Sequence, residues 1–158
     1  MLTGDTDKLS RTKQQLRELI VNYLKEHSFD WEPDSDDSWY VRMDGDNKKG
    51  IALTLRIGDR TLQVESYFIR APELPTQAAA YRWILQRNFR QYIRFACDDE
   101  GAIHLMGNVP LECVDEDELD RLIGSVLEYQ DDNFKAFLEI GFPKALEAIR
   151  QGKPVPEE

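Results

Sequence analysis

The stretch Ile51-Ala52-Leu53-Thr54-Leu55-Arg56-Ile57-Gly58-Asp59-Arg60-Thr61-Leu62-Gln63-Val64-Glu65-Ser66-Tyr67-Phe68 decides the fold. Ile51, Leu53, Leu55 and Ile57 alternate with Ala52, Thr54 and Arg56. Beyond Gly58-Asp59, Leu62, Val64, Ser66 and Phe68 alternate with Thr61, Gln63, Glu65 and Tyr67. Period-two alternation on both sides of a glycine-containing break predicts a β-hairpin with one apolar and one wet face. A two-residue turn at Gly58-Asp59, with Gly supplying a positive φ, sets Leu55 opposite Leu62 and Leu53 opposite Val64. Both apolar rows then share a face, as a half-buried sheet demands.

Working outward, Trp39, Val41 and Met43 alternate with Tyr40 and Arg42 in a preceding strand. Residues 30–38 mix turn formers with like charges and read as a loop, with room for a short strand around Trp31. Leu9, Leu16, Leu19, Ile20, Tyr23 and Leu24 recur at three and four and predict a first helix. It runs from Asp5–Asp7 to His27–Ser28. After the hairpin, Pro72 and Pro75 precede a second helix over 76–90, with the stripe Tyr81, Ile84, Leu85, Asn88 and Phe89 facing the core. Two more strands follow, with Ile93, Phe95 and Cys97 inward, then Ile103, Leu105, Gly107 and Val109. The loop between them must have three residues (98–100) or five (98–102), because four would set Phe95 opposite His104.

Asp115 N-caps a long helix reaching Ile140, with Glu118 three residues on and acids at the positive end of the helix dipole. Gly141 and Pro143 end it. Lys144–Arg150 form a short helix docking through Leu146 and Ile149, and 151–158 is expected to fray. The expected fold is α+β, in the order α-β-β-β-α-β-β-α. Its five-stranded antiparallel sheet carries helices packed mainly on one face. Residues 1–150 are expected to form one domain and 151–158 a tail.

The chain has 158 residues, with 30 Asp+Glu against 20 Lys+Arg and a formal charge of −10. An acidic surface disfavours binding to nucleic acid, which needs cationic groups facing phosphate. No apolar run reaches the roughly 18 residues of a membrane span. The polar start Met1–Lys8 is no signal peptide. The expected location is the cytoplasm.

No residue pattern announces catalysis. Phosphate-cradling glycine loops and the Gly-x-Ser-x-Gly elbow are absent. His27 and His104 lie on different elements without ligand spacing, so no metal and no cofactor is expected. Asp34–Ser38 and Asp44–Asn47 lack the glycine and glutamate of a calcium loop and read as solvated loops. Cys97 and Cys113 lie about ten residues apart along the ladder, too far for a disulfide. They read as small buried hydrophobes.

One feature stands out on the second helix. At 100° per residue, Trp83 points almost opposite Tyr81, Ile84 and Leu85, and shares that side with Ala79, Gln86, Arg87 and Arg90. Tryptophan flanked by arginines is enriched at interface centres. Trp83, Gln86, Arg87 and Arg90 are therefore the candidate protein-binding residues, set against a reading in which other elements cover Trp83.

Leu85-x-x-Asn88 closes the second helix, Ile93 and Phe95 enter the fourth strand, and Asp98-Asp99-Glu100-Gly101-Ala102-Ile103 forms the hairpin. Val109-Pro110-Leu111 and Asp117-Glu118-Leu119 follow. In these segments, over roughly residues 12–140, the chain resembles the YbjN-domain family, which has the fold of type III secretion chaperones and members labelled sensory-transduction regulators. The resemblance implies a small acidic dimer that holds a partner's extended segment, with the second helix in the dimer contact.

Residues and resemblance together lead to a non-enzymatic protein-interaction module, adaptor- or chaperone-like and regulatory, with an unidentified protein partner and a homodimer in view. The alternative is a small-molecule binder using a pocket between the sheet and the long helix, with Tyr81, His104 or Asn88 turned inward. A nucleic-acid-associated regulator would rest only on Arg82, Arg87, Arg90 and Arg94.

Overall fold

Thr12 supplies the first stop-and-start signal of the fold. Its side chain accepts from Gln15 N–H while the Gln15 side chain accepts from Thr12 N–H, a reciprocal capping box. The helix it opens, α1, spans Lys13–Glu26 and buries Leu16, Ile20, Tyr23 and Leu24. The structure, a computed structural model, describes residues 11–156. The expected helix start at Asp5–Asp7, Leu9 and the polar Met1–Lys8 stretch lie outside the described residues.

Six strands follow: β1 (Asp30–Ser35), β2 (Ser38–Met43), β3 (Ile51–Ile57), β4 (Thr61–Ile69), β5 (Arg94–Cys97) and β6 (Ile103–Pro110). All neighbouring pairs are antiparallel, in the order β1-β2-β3-β4-β6-β5. The sheet therefore has six strands, not five. The added strand is Asp30–Ser35, within the segment expected to be a loop. Its charges and Pro33 hide it from pattern reading, because an edge strand with almost nothing buried shows no alternation.

The central hairpin keeps its face but not its register. Leu55 pairs with Val64 and Ile57 with Leu62, so the turn residues are Asp59 and Arg60 rather than Gly58 and Asp59. Gly58 N–H donates to Thr61 O at 2.8 Å, and among the described residues the positive-φ glycines are Gly50, Gly101 and Gly152. A shift of two residues leaves every side chain on its own face, so alternation cannot detect it. The longer ladder adds the buried pair Ile57–Leu62, and Leu111 N–H ties the turn through Arg60 O at 3.0 Å.

The β5–β6 loop is the five-residue option. Phe95 pairs with Leu105 and Cys97 with Ile103, while Gly101 takes φ +84°. The Asp98 carboxylate accepts from Glu100 N–H, Ala102 N–H and His104, which holds it below the usual carboxylate range.

α2 (Gln77–Arg87) lies between two 3-10 turns, Leu74–Thr76 and Asn88–Arg90. α3 (Glu116–Gly141) begins on Asp115, whose side chain accepts from Glu118 N–H at 2.8 Å. It lies against β3, β4 and α2. α4 (Pro143–Arg150) was expected to dock through Leu146 and Ile149. Instead it buries Ala145 and Ala148, and Ile149 stays 62% exposed. The small methyls allow close approach, and a polar clasp sets the helix orientation. Buried Glu73 accepts from Lys144 N–H and Ala145 N–H at the start of α4, each at 3.0 Å. One apolar cluster joins Leu53, Leu55, Val64, Phe68 and Leu105 of the sheet to Ile20, Ile84, Leu122, Val126 and Phe137 of the helices.

The β2–β3 loop is pinned to α3 by side chains far apart in sequence. Asp131 accepts from Asn47 N–H at 2.7 Å and Lys48 N–H at 2.9 Å. Lys48 Nζ donates to Phe68 O and Gln130 Oε1 and lies 4.8–4.9 Å from the Phe68 and Phe134 ring centroids. Burial lowers its pKa to about 8. The unfolded chain holds this proton to about pH 10.4, so between those values the unfolded state binds more protons and stability rises with pH. Above about pH 10 the raised tyrosines Tyr23 and Tyr92 act oppositely. The expected result is that the stability difference between wild type and Lys48→Met shifts in favour of wild type from pH 7.5 to 9.5, measured by denaturant titration. Parallel curves would contradict it.

Candidate functional site

α2 is apolar on two sides, and the fold decides which side it buries. Ala80 and Ile84 face the core at 0% and 4% exposure. Trp83, one position round, is half-buried, its ring centroid 6.0 Å from that of Phe137 on α3. The Arg87 guanidinium lies over the indole, 4.4 Å from its centroid. Of the stripe expected to enter the core, Ile84 does so and Tyr81 and Asn88 are half-buried, but Leu85 and Phe89 point to water, 64% and 80% exposed. The helix is turned about a quarter turn from the expected setting because Ala80 lets Gly141 approach closely, with Pro72 on the same side. Bulky Leu85 and Phe89 could not fill that gap.

Two polar clamps fix this orientation. Tyr81 Oη donates to Gly101 O at 2.8 Å, joining α2 to the acidic hairpin tip. The Asn88 amide donates to Phe95 O at 2.9 Å and accepts from Phe95 N–H at 2.7 Å, as a neighbouring strand would. Tyr81 and Asn88, two of the polar groups a ligand pocket would need, are engaged in these bonds. His104 meets Asp98 through Nε2 at 2.9 Å, while its buried Nδ1 has no hydrogen-bond partner among the described residues. A small, nearly wholly apolar cavity of about 100 Å³ does open between α2 and the β5–β6 hairpin, beside Leu85, Phe95 and Ile103.

The exposed face of α2 is therefore a seam. Ala78 and Leu85 share one side of α2, about 20° apart at 100° per residue, and the flanking 3-10 turns carry Leu74 and Phe89; all four are exposed. Arg82 and Gln86 flank the seam. At its N-terminal end, Leu74 and Gln77 line a groove with Asp98 and Glu100. At its C-terminal end lie Arg90 and Arg94, the latter donating to Asn88 O. Of the residues singled out from sequence, Gln86 and Arg90 are exposed and Trp83 and Arg87 half-buried. Leu74, Ala78, Leu85 and Phe89 were missed as surface residues. The available signal was a helix with apolar residues on opposite sides.

The other chemistry-bearing residues stay apart. His27 C-caps α1 and stacks on Tyr23, while His104 lies on β6 between Asp98 and Glu65. Cys97 and Cys113 are free and exposed, not buried as expected. Cys97 ends an edge strand, and Cys113 lies in a 3-10 turn. The acids of the two loops bond their own chain, Asp44 to Gly50 N–H and Asp34 to the Ser38 hydroxyl. Among the described residues, no group of three His, Cys, Asp or Glu is placed to hold a metal ion. No described helix is long and apolar enough to cross a membrane.

This fold recurs in solved structures. A chain of the heterodimeric complex ExoU–SpcU from the type III secretion system of Pseudomonas aeruginosa superposes with a TM-score of 0.56 at 17% identity. The match covers 77% of this chain and 97% of that one. A chain of the Yersinia pestis type III secretion chaperone SycH in complex with a fragment of YscM2 gives 0.53 at 20% identity, covering 72% and 95%. Similarity at this level shows the fold.

Sequence relatives are nearer. An uncharacterized protein of Mycobacterium tuberculosis is 37% identical over 108 residues, covering 68% of this chain and 58% of the relative. One of Mycobacterium leprae is 32% identical over 130 residues, covering 82% and 70%. The matched region thus spans somewhat over half the length of the first of these relatives. Residues 16–139 match the family described as "YbjN: Putative bacterial sensory transduction regulator". With most of its length matched and its fold that of type III secretion chaperones, the chain belongs to the YbjN family.

Proposed function

We propose that this chain is a protein-binding module, a chaperone-like regulatory adaptor of the cytoplasm that does no bond-making chemistry and works as a homodimer joined across α2. The observation that carries the reading is the seam. Leu85 and Phe89 stand 64% and 80% exposed on a helix held rigidly by Tyr81 and Asn88. Large apolar side chains in one exposed row mark an interaction surface. Trp83, Gln86, Arg87 and Arg90 border that surface. With the helices taken to pack on the buried face of the sheet, the other face is free for an extended segment of a protein partner. That face carries Tyr40, Thr54, Glu65 and Met106 in one cross-strand row. Residues 1–150 are taken as one working unit, with 151–158 outside it.

Sedimentation velocity at micromolar concentration tests the reading. Wild type is expected to be a dimer, and Leu85→Asp or Phe89→Asp to weaken association at least tenfold, about 1.4 kcal/mol. Trp83→Ala and Arg87→Glu should act in the same direction but less, since each lies partly against its own chain. A wild-type monomer would refute self-association.

A further inference from the structure

The α2 seam carries opposite charges at its two ends, and its apolar residues are spaced symmetrically about its middle. We infer that it pairs with the seam of a second copy in antiparallel register, clamped at each end by the β5–β6 hairpin acids of one copy against Arg90 and Arg94 of the other. This rests on the self-association proposed above and names the arrangement and the groups that select it.

The register follows from numbering. Turning the helical segment Leu74–Arg90 end for end about a two-fold axis near residues 81–82 sets Leu74 on Phe89 and Ala78 on Leu85 of the second copy. The small alanine then receives the larger leucine, and the two terminal apolar groups cover each other. The two Arg82 side chains lie beside the axis, where their length lets the guanidinium groups reach water.

Charge fixes direction. Tyr81 holds the hairpin Asp98–Gly101 beside the N-terminal half of α2, and Glu100 lines a groove with Leu74 and Gln77. Arg90 and Arg94 lie at the opposite end, and α2 itself carries no acidic residue. Among the described residues, Asp99, Glu100, Arg90 and Arg94 make no ion pair within the chain. An antiparallel pair brings the acids of each copy to the arginines of the other, twice. A parallel pair would set acids on acids and arginines on arginines, which like-charge repulsion opposes.

A charge-swap series tests this, read by sedimentation at 50 and 300 mM salt. Asp99→Lys with Glu100→Lys, and separately Arg90→Glu with Arg94→Glu, are each expected to raise the dimer dissociation constant at least tenfold at low salt. All four substitutions in one chain restore complementarity, and the constant should return to within about threefold of wild type. All four positions are exposed, and circular dichroism confirms that each variant folds. Single swaps without effect, or a combined variant no better than either swap, would overturn the clamp while leaving a dimer. A wild-type monomer would instead overturn the self-association on which it stands.

Discussion

Phe137→Ala is expected to lower folding stability by about 3–5 kcal/mol, the range for truncating a fully buried phenylalanine. Phe137 is 0% exposed, and its ring lies within 5.6–6.2 Å, centroid to centroid, of Phe68 on β4, Trp83 on α2 and Phe142 before α4. Three elements meet on this one ring, so the hole cannot close by moving any single one of them. Denaturant unfolding measures the loss. Phe137→Leu, which keeps most of the volume, should cost well under half as much. The indole of Trp83 loses its wall, so its fluorescence in the folded variant should shift toward that of an exposed tryptophan. A loss below 1 kcal/mol would show that α2 and α3 are not joined through this ring.

Glu73→Ala is the second large effect, and its character differs. The buried carboxylate accepts both Lys144 N–H and Ala145 N–H, while Glu73 N–H and the Thr76 hydroxyl donate to Gly141 O. Charge-assisted bonds of this kind contribute about 1.5–3 kcal/mol each. The apolar surface α4 buries is mainly two alanine methyls, worth roughly 0.8 kcal/mol apiece. The clasp therefore outweighs the packing, and its loss should free α4 alone. Hydrogen exchange of residues 143–150 should accelerate at least 100-fold, about 2.7 kcal/mol, while α3 stays protected. Glu73→Gln should resemble Glu73→Ala, because its amide NH₂ would face one of the two N–H donors. Uniform acceleration across the chain would mean that α4 unfolds only with the whole.

Legibility in the sequence followed burial. Strands with one face in the core announced themselves: Trp39 and Val41, Leu53 and Leu55, and Leu62 to Phe68 are buried as their alternation requires. The same parity narrowed the β5–β6 loop to three residues or five, and the structure has five. Asp30–Ser35 did not announce itself, since an edge strand leaves no inward row to read. The hairpin slipped by two because parity is blind to even shifts. Cys97 kept the inward parity of Phe95 yet is exposed, since position at the edge of a sheet is not a property of one strand. In the candidate site, the sequence singled out α2 and its arginines. The seam formed by Leu85 and Phe89 was assigned to the wrong side of the helix.

What the residues determined alone was the helices, the five strands that carry a buried row, and the face each of those strands would hide. Periodicity and capping are local, and Thr12, Asp115 and Gly101 act on neighbours within a few positions. What only the tertiary structure decided was the rotation of α2. Its two apolar sides are equivalent until something packs against one of them. The choice belongs to Pro72, Phe137 and Gly141, 55 or more positions away from Ala80 in two of the three cases, which fit the side of Ala80, Ile84 and Trp83 and leave Leu85 and Phe89 in water.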